Sequence, residues 1–331
     1  MRFVRVTVVL VVAAAGVANA SACGSFSESD AGSPSPTIDA APASDSPSMP
    51  PSEAGECVLS TAPATLAGVA GAPSKLASNG EHVFWIEDGA RLMRASLRDC
   101  QTREIANGKI TALAVDAQWI VWGDPGYHVL GRDAVDQQPQ TAVTNVSPSL
   151  ILGAGVGFWL GTSGIVACNT PCKSTSIAAL VGAPRLLAAN VSTLLVFGLS
   201  PDAGTTVDLW SHQISLFSGT SLVGPLATNQ DPTLLAANPS SVFWVSSNGQ
   251  LHGVPTSAGP PIVLPIVAGA RALAVDDAFV YVATSDTIGR VPVNGGTLTA
   301  VLTGEADITS LVVTEDSLVW ATAAGIRRVR K

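Results

Sequence analysis

The chain contains 331 residues, of which 47% are hydrophobic and 13% charged, a composition that excludes a disordered polypeptide and provides material for a large core. The 31 glycines and 22 prolines are typical of many short strands joined by turns. The formal net charge is −8, but from residue 57 onward 19 acidic residues meet 15 basic ones. This mildly negative balance argues against a nucleic-acid partner, which requires a basic face.

Residues 1–22 predict a signal peptide. Arg2 and Arg5 provide the positive start, and the apolar stretch that follows is shorter than a typical membrane span. The segment Ala20-Ser21-Ala22-Cys23 resembles a bacterial lipobox, in which Cys23 is lipidated and becomes the first residue, and Gly24 after it implies outer-membrane sorting. The alternative is ordinary cleavage, which leaves an unmodified Cys23 on a periplasmic or secreted protein.

Residues 23–56 predict a flexible spacer between this lipid anchor and the folded domain. Ser, Pro, Ala and acidic residues dominate the segment, which has no Lys or Arg and almost no large apolar side chain. Such a segment cannot bury enough apolar surface to fold. We therefore expect a single domain over residues 57–331, attached to the membrane only through the lipid.

Four further cysteines, Cys57, Cys100, Cys168 and Cys172, form an even number in an exported chain and predict two disulfides. Residues 169–171 have the composition of a hairpin tip, so pairing of Cys168 with Cys172 is the simplest of three connectivities. Cys57 then pairs with Cys100. A zinc site is the alternative, but no histidine lies near the short pair.

A unit of about 38 residues recurs from residue 75 to residue 331, and its most visible part is an apolar run that contains an aromatic residue. The third residues of the seven runs are Trp85, Trp122, Trp159, Phe197, Trp244, Val282 and Trp320. The sixth unit predicts four strands, at residues 271–276, 278–284, 288–293 and 297–303. Turn pairs such as Asp88-Gly89 and Asn248-Gly249 separate second and third strands.

Seven units of four antiparallel strands predict an all-β fold, the seven-bladed β-propeller. Small residues such as Ala77 and Ala274 suit first strands that converge on an axis, and the aromatic residues suit the core between blades. The last unit has room for three strands only. The segment Thr61–Gly71 is similar to Thr297–Asp307, so we expect it to close the ring as the outer strand of the last blade.

The string AVDDAFVY at residues 274–281, followed by IGRVP at 288–292 and NGG at 294–296, resembles YWTD-type and NHL-type propeller repeats. It is similar in particular to secreted or lipoprotein propellers of unknown role in high-GC Gram-negative bacteria. The resemblance covers residues 57–331 and implies the fold rather than an activity, because the literal Tyr-Trp-Thr-Asp string is absent from every unit.

Enzymatic chemistry has little support in the sequence. His82, His128, His212 and His252 fall in different units without metal-ligand spacing, and no nucleophile elbow, P-loop or dinucleotide fingerprint occurs. One polar residue recurs between the first and second strands of most units, as Asn79, Asp116, Asn190, Asn238 and Asp276. Such residues make turns, but symmetry could also gather them around a metal, so a metal-dependent hydrolase or lactonase is an alternative.

Two features depart from the repeat and mark a candidate binding site. The residues that start the seven first strands, and so surround one mouth of the channel, are Ser74, Thr111, Pro148, Arg185, Thr233, Arg271 and Thr309. Arg185 and Arg271 are the two charged ones, suited to an anion held between them. The fourth unit is about ten residues longer, and we expect Leu199–Asp208 to project there as a polar flap.

Together these features favour an envelope-tethered, monomeric binding or interaction module without a cofactor. Its expected partner is an envelope protein or a small anion held by Arg185, Arg271, Thr111, Thr233 and Thr309. Besides the metal-dependent enzyme, the other alternative to this binding module is a scaffold component of an envelope assembly, which would use blade edges instead of the channel.

Overall fold

The fold is known from a computed structural model of the chain. The structure describes residues 57, 59–110, 112–115, 119–123, 126–131, 140–144, 150–153, 156–161, 164–169, 175–178, 184–189, 193–199, 207–215, 219–257 and 259–331. Between residues 124 and 206 and between 210 and 224 only the backbone is described. The predicted signal peptide, Cys23 and the spacer lie outside these residues.

The described residues form β-strands joined by turns. In chain order they are β1 (Ala64–Ala67), β2 (Pro73–Ser78), β3 (His82–Glu87), β4 (Arg91–Ser96), β5 (Thr102–Asn107), β6 (Ala112–Val115), β7 (Trp119–Gly123), β8 (Gly126–Gly131), β9 (Gln140–Thr144), β10 (Leu150–Gly153), β11 (Val156–Gly161), β12 (Gly164–Asn169), β13 (Thr175–Ala178), β14 (Pro184–Ala189), β15 (Thr193–Leu199), β16 (Val207–Ser215), β17 (Gly219–Gln230), β18 (Pro232–Ala237), β19 (Ser241–Ser246), β20 (Gln250–Pro255), β21 (Ile262–Ile266), β22 (Ala272–Val275), β23 (Phe279–Ala283), β24 (Thr287–Pro292), β25 (Thr299–Thr303), β26 (Ser310–Val313), β27 (Ser317–Thr322) and β28 (Gly325–Arg330). No helix in the described part of the chain has the length and apolar character needed to cross a bilayer.

Within these ranges the strands form seven four-stranded antiparallel sheets, which confirms the all-β prediction. Sheets 1 to 6 each contain four consecutive strands, from β2–β5 to β22–β25. Sheet 7 has the order β1-β28-β27-β26. The N-terminal strand β1 is therefore the outer strand of the last sheet, as the similarity of Thr61–Gly71 to Thr297–Asp307 predicted. In sheet 6 each observed strand lies within two residues of the predicted bounds.

First strands of successive sheets lie beside one another: β2 contacts β6, the contacts continue through β10, β14, β18 and β22 to β26, and β26 contacts β2. This inner layer is crowded, and the small residues Ala77, Ala114, Ala236 and Ala274 are at most 3% exposed in it. The absence of long side chains at these positions allows neighbouring backbones to approach.

Second strands carry the largest buried side chains, among them Trp85, Tyr281 and Trp320. Tyr281 and Trp320 belong to one continuous core cluster that runs through sheets 5, 6 and 7, whereas Trp85 belongs to a cluster shared by sheets 7 and 1. Burying a large apolar side chain contributes about 1.5–3 kcal/mol. The aromatic residues are therefore primarily a structural core between sheets.

The predicted flap in the fourth unit is wrong in its bounds. Leu199 ends β15 and pairs with Val207, and Gly198 pairs with Asp208, so both ends of the segment belong to a strand ladder. Val207 and Asp208 are each 5% exposed, because this ladder packs into the core. Much of the extra length instead extends β16 to nine residues and β17 to twelve, and residues 200–206 lie outside the described part.

Candidate functional site

The starts of the first strands and the turns between second and third strands share one side of the sheets, which we call the mouth face. At three of the predicted mouth positions the hydroxyl donates to a carbonyl of its own second strand. Ser74 bonds to Ile86 O at 3.3 Å, Thr233 to Val245 O at 3.0 Å and Thr309 to Ala321 O at 3.4 Å. This repeated bond indicates a structural role for these hydroxyls, although Thr233 and Thr309 remain exposed to solvent.

Arg271 lies on the mouth face beside a carboxylate. Its guanidinium is 3.7 Å from Asp307, and the two side chains are 48% and 73% exposed. An exposed pair at this distance is weak, so Arg271 can exchange Asp307 for a ligand at little cost. Thr111 and the side chain of Arg185 lie outside the described residues, so the predicted pairing of the two arginines stays a prediction.

Lys75 is a basic residue of the mouth face that the repeat did not reveal. It follows Ser74 in β2, is partly buried, and has a left-handed backbone with a φ of 55°. Burial lowers the pKa of its ammonium group. A sequence signal exists in retrospect, because β2 reads PSKLAS where the equivalent β18 reads PTLLAA.

The recurring Asn and Asp residues lie on the opposite side of the sheets and cap turns. Asn79 Oδ1 accepts bonds from the N–H groups of residues 81 and 82, and Asn238 Oδ1 from those of residues 240 and 241. Asp276 Oδ1 does the same with residues 278 and 279, at 2.8 and 2.7 Å. Asp116 and Asn190 lie outside the described residues. Within the described ranges, no group of three or more His, Cys, Asp or Glu side chains could hold a metal ion.

Asp276 has additional partners. Its Oδ2 accepts a bond from the Tyr281 hydroxyl at 3.1 Å and one from Lys331 Nζ at 2.8 Å. Burial favours the neutral acid, but the Lys331 bond and the backbone amides outweigh it and lower the pKa of Asp276. Burial and the Asp276 carboxylate raise the pKa of Tyr281. The group joins sheet 6 to sheet 7 and leaves Asp276 with few lone pairs for a ligand.

The histidines lie where the repeat put them: His82 begins β3, and His128, His212 and His252 lie in third strands. The His252 ring stacks on Trp244, with centroids 5.1 Å apart and planes 9° apart, and burial lowers the pKa of His252. Arg327 covers Trp320 in the equivalent position of sheet 7. Third-strand residues of this kind shield the core aromatics.

An apolar edge is the feature that the sequence interpretation missed. Val263 and Ile266 in β21, the last strand of sheet 5, are 86% and 64% exposed and are the large hydrophobic residues most exposed in the described chain. A cavity of about 260 Å³ between sheets 5 and 6 begins at Val267, the residue that follows Ile266. It is lined by Val267, Val282, Thr284, Thr287, Gly289, Leu298 and Ala300. The signal was the run IVLPI, which lacks the polar residues of the last strand TREIAN in sheet 1.

The predicted pairing of Cys57 with Cys100 is confirmed, with Cα atoms 5.3 Å apart. Cys168 lies in β12, and Cys172 lies outside the described residues, so the second pairing stays a prediction. Arg328 of β28 lies beside the observed disulfide. It donates to Leu97 O at 2.7 Å and to Cys57 O at 2.6 Å, and its Nη2 is 3.0 Å from Cys57 Sγ.

Solved structures share this arrangement of sheets. The WD40 beta propeller domain of Doa1 has a TM-score of 0.56 and 13% identity, with 81% of this chain and 96% of that chain covered. The chain therefore has a β-propeller fold. A chain of the mitotic checkpoint complex gives a TM-score of 0.59 at 11% identity, covering 85% and 98%, and the computationally designed Ika8 protein gives 0.56 at 14%, covering 81% and 99%.

No family model matches the chain, and no curated protein matches it. At sequence identities of 11–14%, the similarity to these structures shows the propeller fold alone. These similarities therefore assign no function to the chain.

Proposed function

We propose that the chain is an envelope-tethered interaction module: a closed, seven-bladed propeller that binds a protein partner at the apolar edge of its fifth blade. The observation that carries this proposal is the exposure of Val263 and Ile266 beside the cavity between sheets 5 and 6. Exposed apolar residues next to a concave apolar surface are characteristic of sites that exclude water when a partner binds.

The closed seven-bladed ring is supported by contacts between first strands. They run in chain order from β2 to β26, and β26 also contacts β2. β1 supplies the fourth strand of sheet 7, which otherwise contains three strands. A ring closed in this way has seven outer strands, and these blade edges are candidate binding surfaces.

Low charge supports blade five as the interaction site. Between Asp208 and Arg271 the sequence contains one formally charged residue, Asp231. Interface cores are depleted of charged side chains because desolvating a charge is costly. Gly295 in the next sheet also approaches the edge, since a Cβ at that position would lie 3.1 Å from Val263 O. The edge is therefore continuous with the neighbouring blade.

A photo-crosslinking amino acid at position 263 tests this site in cells. We expect discrete protein adducts that disappear when Ile266→Asp is added, because a charge at the edge opposes desolvation. The matched control places the crosslinker at Thr102, which is exposed on the last strand of sheet 1. Equal adducts at 263 and 102, or adducts at 263 that persist with Ile266→Asp, would contradict the proposal.

A small anion at the mouth face is the second candidate, favoured by the weakly paired Arg271 and by the basic Lys75 on the same face. The Arg185 guanidinium would complete such a site, and the hydroxyls of Thr111, Thr233 and Thr309 would surround it. Calorimetry with inorganic phosphate on the wild type and on Arg185→Ala with Arg271→Ala tests this. Loss of phosphate binding in the double variant, but not in Arg330→Ala, would support an anion site at the mouth face. Equal binding by the wild type and both variants would reject that site.

The tether is proposed from the sequence of residues 1–56. Lipidation of Cys23 would hold the propeller at the membrane on a spacer of about 33 residues. Cys23→Ser should release the protein into the soluble fraction of fractionated cells. Unchanged membrane association of that variant would refute the lipid anchor and leave the blade-five site to be judged by its own crosslinking experiment.

A further inference from the structure

The environment of Arg328 is unusual for a buried cation. The residue is 3% exposed, and its guanidinium donates to two neutral carbonyl oxygens and lies against a disulfide sulfur. Among the described residues, no carboxylate forms an ion pair with it. Burying a charge without a counter-ion carries a large desolvation cost, and carbonyl dipoles offset only part of it. Burial accordingly lowers the pKa of Arg328.

Reduction of the neighbouring disulfide would supply the missing anion. In the oxidised state Cys57 Sγ is a neutral sulfur 3.0 Å from Arg328 Nη2. A thiolate at the same position would be a direct counter-ion, and adjacent arginines are known to lower the pKa of thiols. The guanidinium therefore stabilises the reduced form of Cys57 more than it stabilises the disulfide.

We propose that Cys57–Cys100 is a redox-responsive bond and that reduced Cys57, held as a thiolate by Arg328, is a site of thiol modification. The reductant is a small thiol. Its thiolate attacks Cys100 Sγ, the sulfur–sulfur bond breaks, and the electron pair stays on Cys57 Sγ beside the guanidinium. A second thiolate then attacks the mixed disulfide at the small-thiol sulfur, which yields the small disulfide and a Cys100 thiolate that takes up a proton.

The charged surroundings of the two sulfurs differ. Arg328 and Arg330 come from β28, and Arg330 is exposed. The turn before β5 contributes Arg98 and Asp99 next to Cys100, and Glu81 and His82 lie against that turn, since Leu97 N donates to Glu81 O. Apart from buried Arg328, these groups are solvent-exposed or partly exposed and therefore screened. The asymmetry favours Cys57 as the thiolate and leaving group.

The bond lies between the first and last sheets, which gives its reduction a structural consequence. Cys57 precedes β1 of sheet 7, and Cys100 lies between β4 and β5 of sheet 1. Thiol exchange at this pair would therefore loosen the attachment of the β1 segment to sheet 1 while the strand ladders persist. Modification of Cys57 would then hold the loosened state.

Alkylation of the fully reduced, folded protein with iodoacetamide across pH, followed by peptide mass spectrometry, tests the proposal. We expect the midpoint for Cys57 to lie at least about one pH unit below that for Cys100, and to rise toward the ordinary thiol value of about 8.5 in Arg328→Met. Arg330→Met is the matched control and should behave as wild type.

Arg328→Lys provides a second test if the Met variant does not fold, because it keeps the charge and should keep the low midpoint. Titration with a glutathione redox buffer should also show that Arg328→Met needs several-fold more reductant than the wild type to open the bond. Equal midpoints for the two cysteines in the wild type, or an unchanged Cys57 midpoint in Arg328→Met, would overturn the proposal.

Discussion

Two junctions show different ways of holding neighbouring sheets together. Sheets 5 and 6 follow one another in the chain, share an apolar core cluster and are linked by the bond from Asn238 Nδ2 to Asp276 O at 2.9 Å. Sheet 7 is different, because its strands β26–β28 come from the opposite end of the described chain from sheet 1 and only β1 is joined to sheet 1 by a short loop. We call the junction of sheets 7 and 1 the seam.

The seam has several kinds of bond besides the apolar packing that it shares with the junction of sheets 5 and 6. Ser310 Oγ accepts a bond from Leu76 N, Thr309 donates to Pro73 O, Arg328 reaches Leu97, and a disulfide adds a covalent link. Where a short loop connects two sheets, chain continuity keeps them together at low entropic cost. At the seam the short loop reaches β1 alone, so directional bonds hold β26–β28 to sheet 1 and the disulfide adds a second covalent link.

The largest effect should come from deleting residues 57–71, which removes the seam's disulfide and β1. The disulfide contributes about 2–4 kcal/mol and burial of Leu66 about 1.5–3 kcal/mol, a large part of a typical total of about 5–15 kcal/mol. We expect the cooperative thermal transition to disappear or to fall steeply. Deleting residues 24–56 is the control and should leave the transition in place; a shortened domain that melts like the full one would show that β1 is dispensable.

At the other junction, Asn238→Ala should destabilise the propeller by about 2–4 kcal/mol in urea unfolding, because the side chain is buried and its bonds to the turn and to Asp276 O are lost. Asn294→Ala, at an exposed turn of sheet 6, should change stability by less than about 0.5 kcal/mol. Similar values for the two variants would mean that apolar packing alone holds sheets 5 and 6 together.

A smaller effect is expected where β28 meets β1. Gly325 has a φ of 151°, and a Cβ there would lie 2.7 Å from Ala67 O. Gly325→Ala should therefore cost about 1–3 kcal/mol, whereas Gly68→Ala, which meets nothing within 4 Å, should be nearly neutral. Thermal unfolding of the two variants compares them directly, and equal melting temperatures would exclude close backbone approach between β28 and β1.

The smallest effect concerns pH and the Asp276–Lys331 pair between sheets 6 and 7. Because the folded pKa of Asp276 lies below its ordinary value of 3.8, its carboxylate stabilises the fold above that pH, and this stability is lost as pH falls through the folded pKa. Asp276→Asn should be less stable than wild type at pH 7 by at most about 1 kcal/mol. The difference should vanish in acid; a difference that persists unchanged there would assign it to packing.

Local sequence patterns were sufficient to predict most of the strands and turns. The aromatic run predicted each second strand. Asn79, Asn238 and Asp276 predicted the turns that their own side chains cap. The pairing of Cys57 with Cys100 followed once Cys168 and Cys172, four residues apart, were expected to pair with each other.

The site was less predictable because it depends on contacts between residues distant in sequence. Nothing local distinguishes Arg328, which is buried, from exposed Arg330 two residues later. The Leu199–Asp208 segment has the composition of a loop, yet its ends pair as strands because the ladder and the core beneath it outweigh that composition. The exposure of Val263 and Ile266 depends on which strand is outermost and on what covers it.

The position of Cys57 before β1 also determines how the propeller responds to mechanical force. A pull transmitted through the residues that precede Cys57 reaches the disulfide before it reaches the β1–β28 ladder. With the bond closed, the load passes to Cys100 and sheet 1, and β1 is shielded from it. With the bond open, the same pull acts directly on a four-residue strand, so the redox state would set the force at which β1 separates from β28.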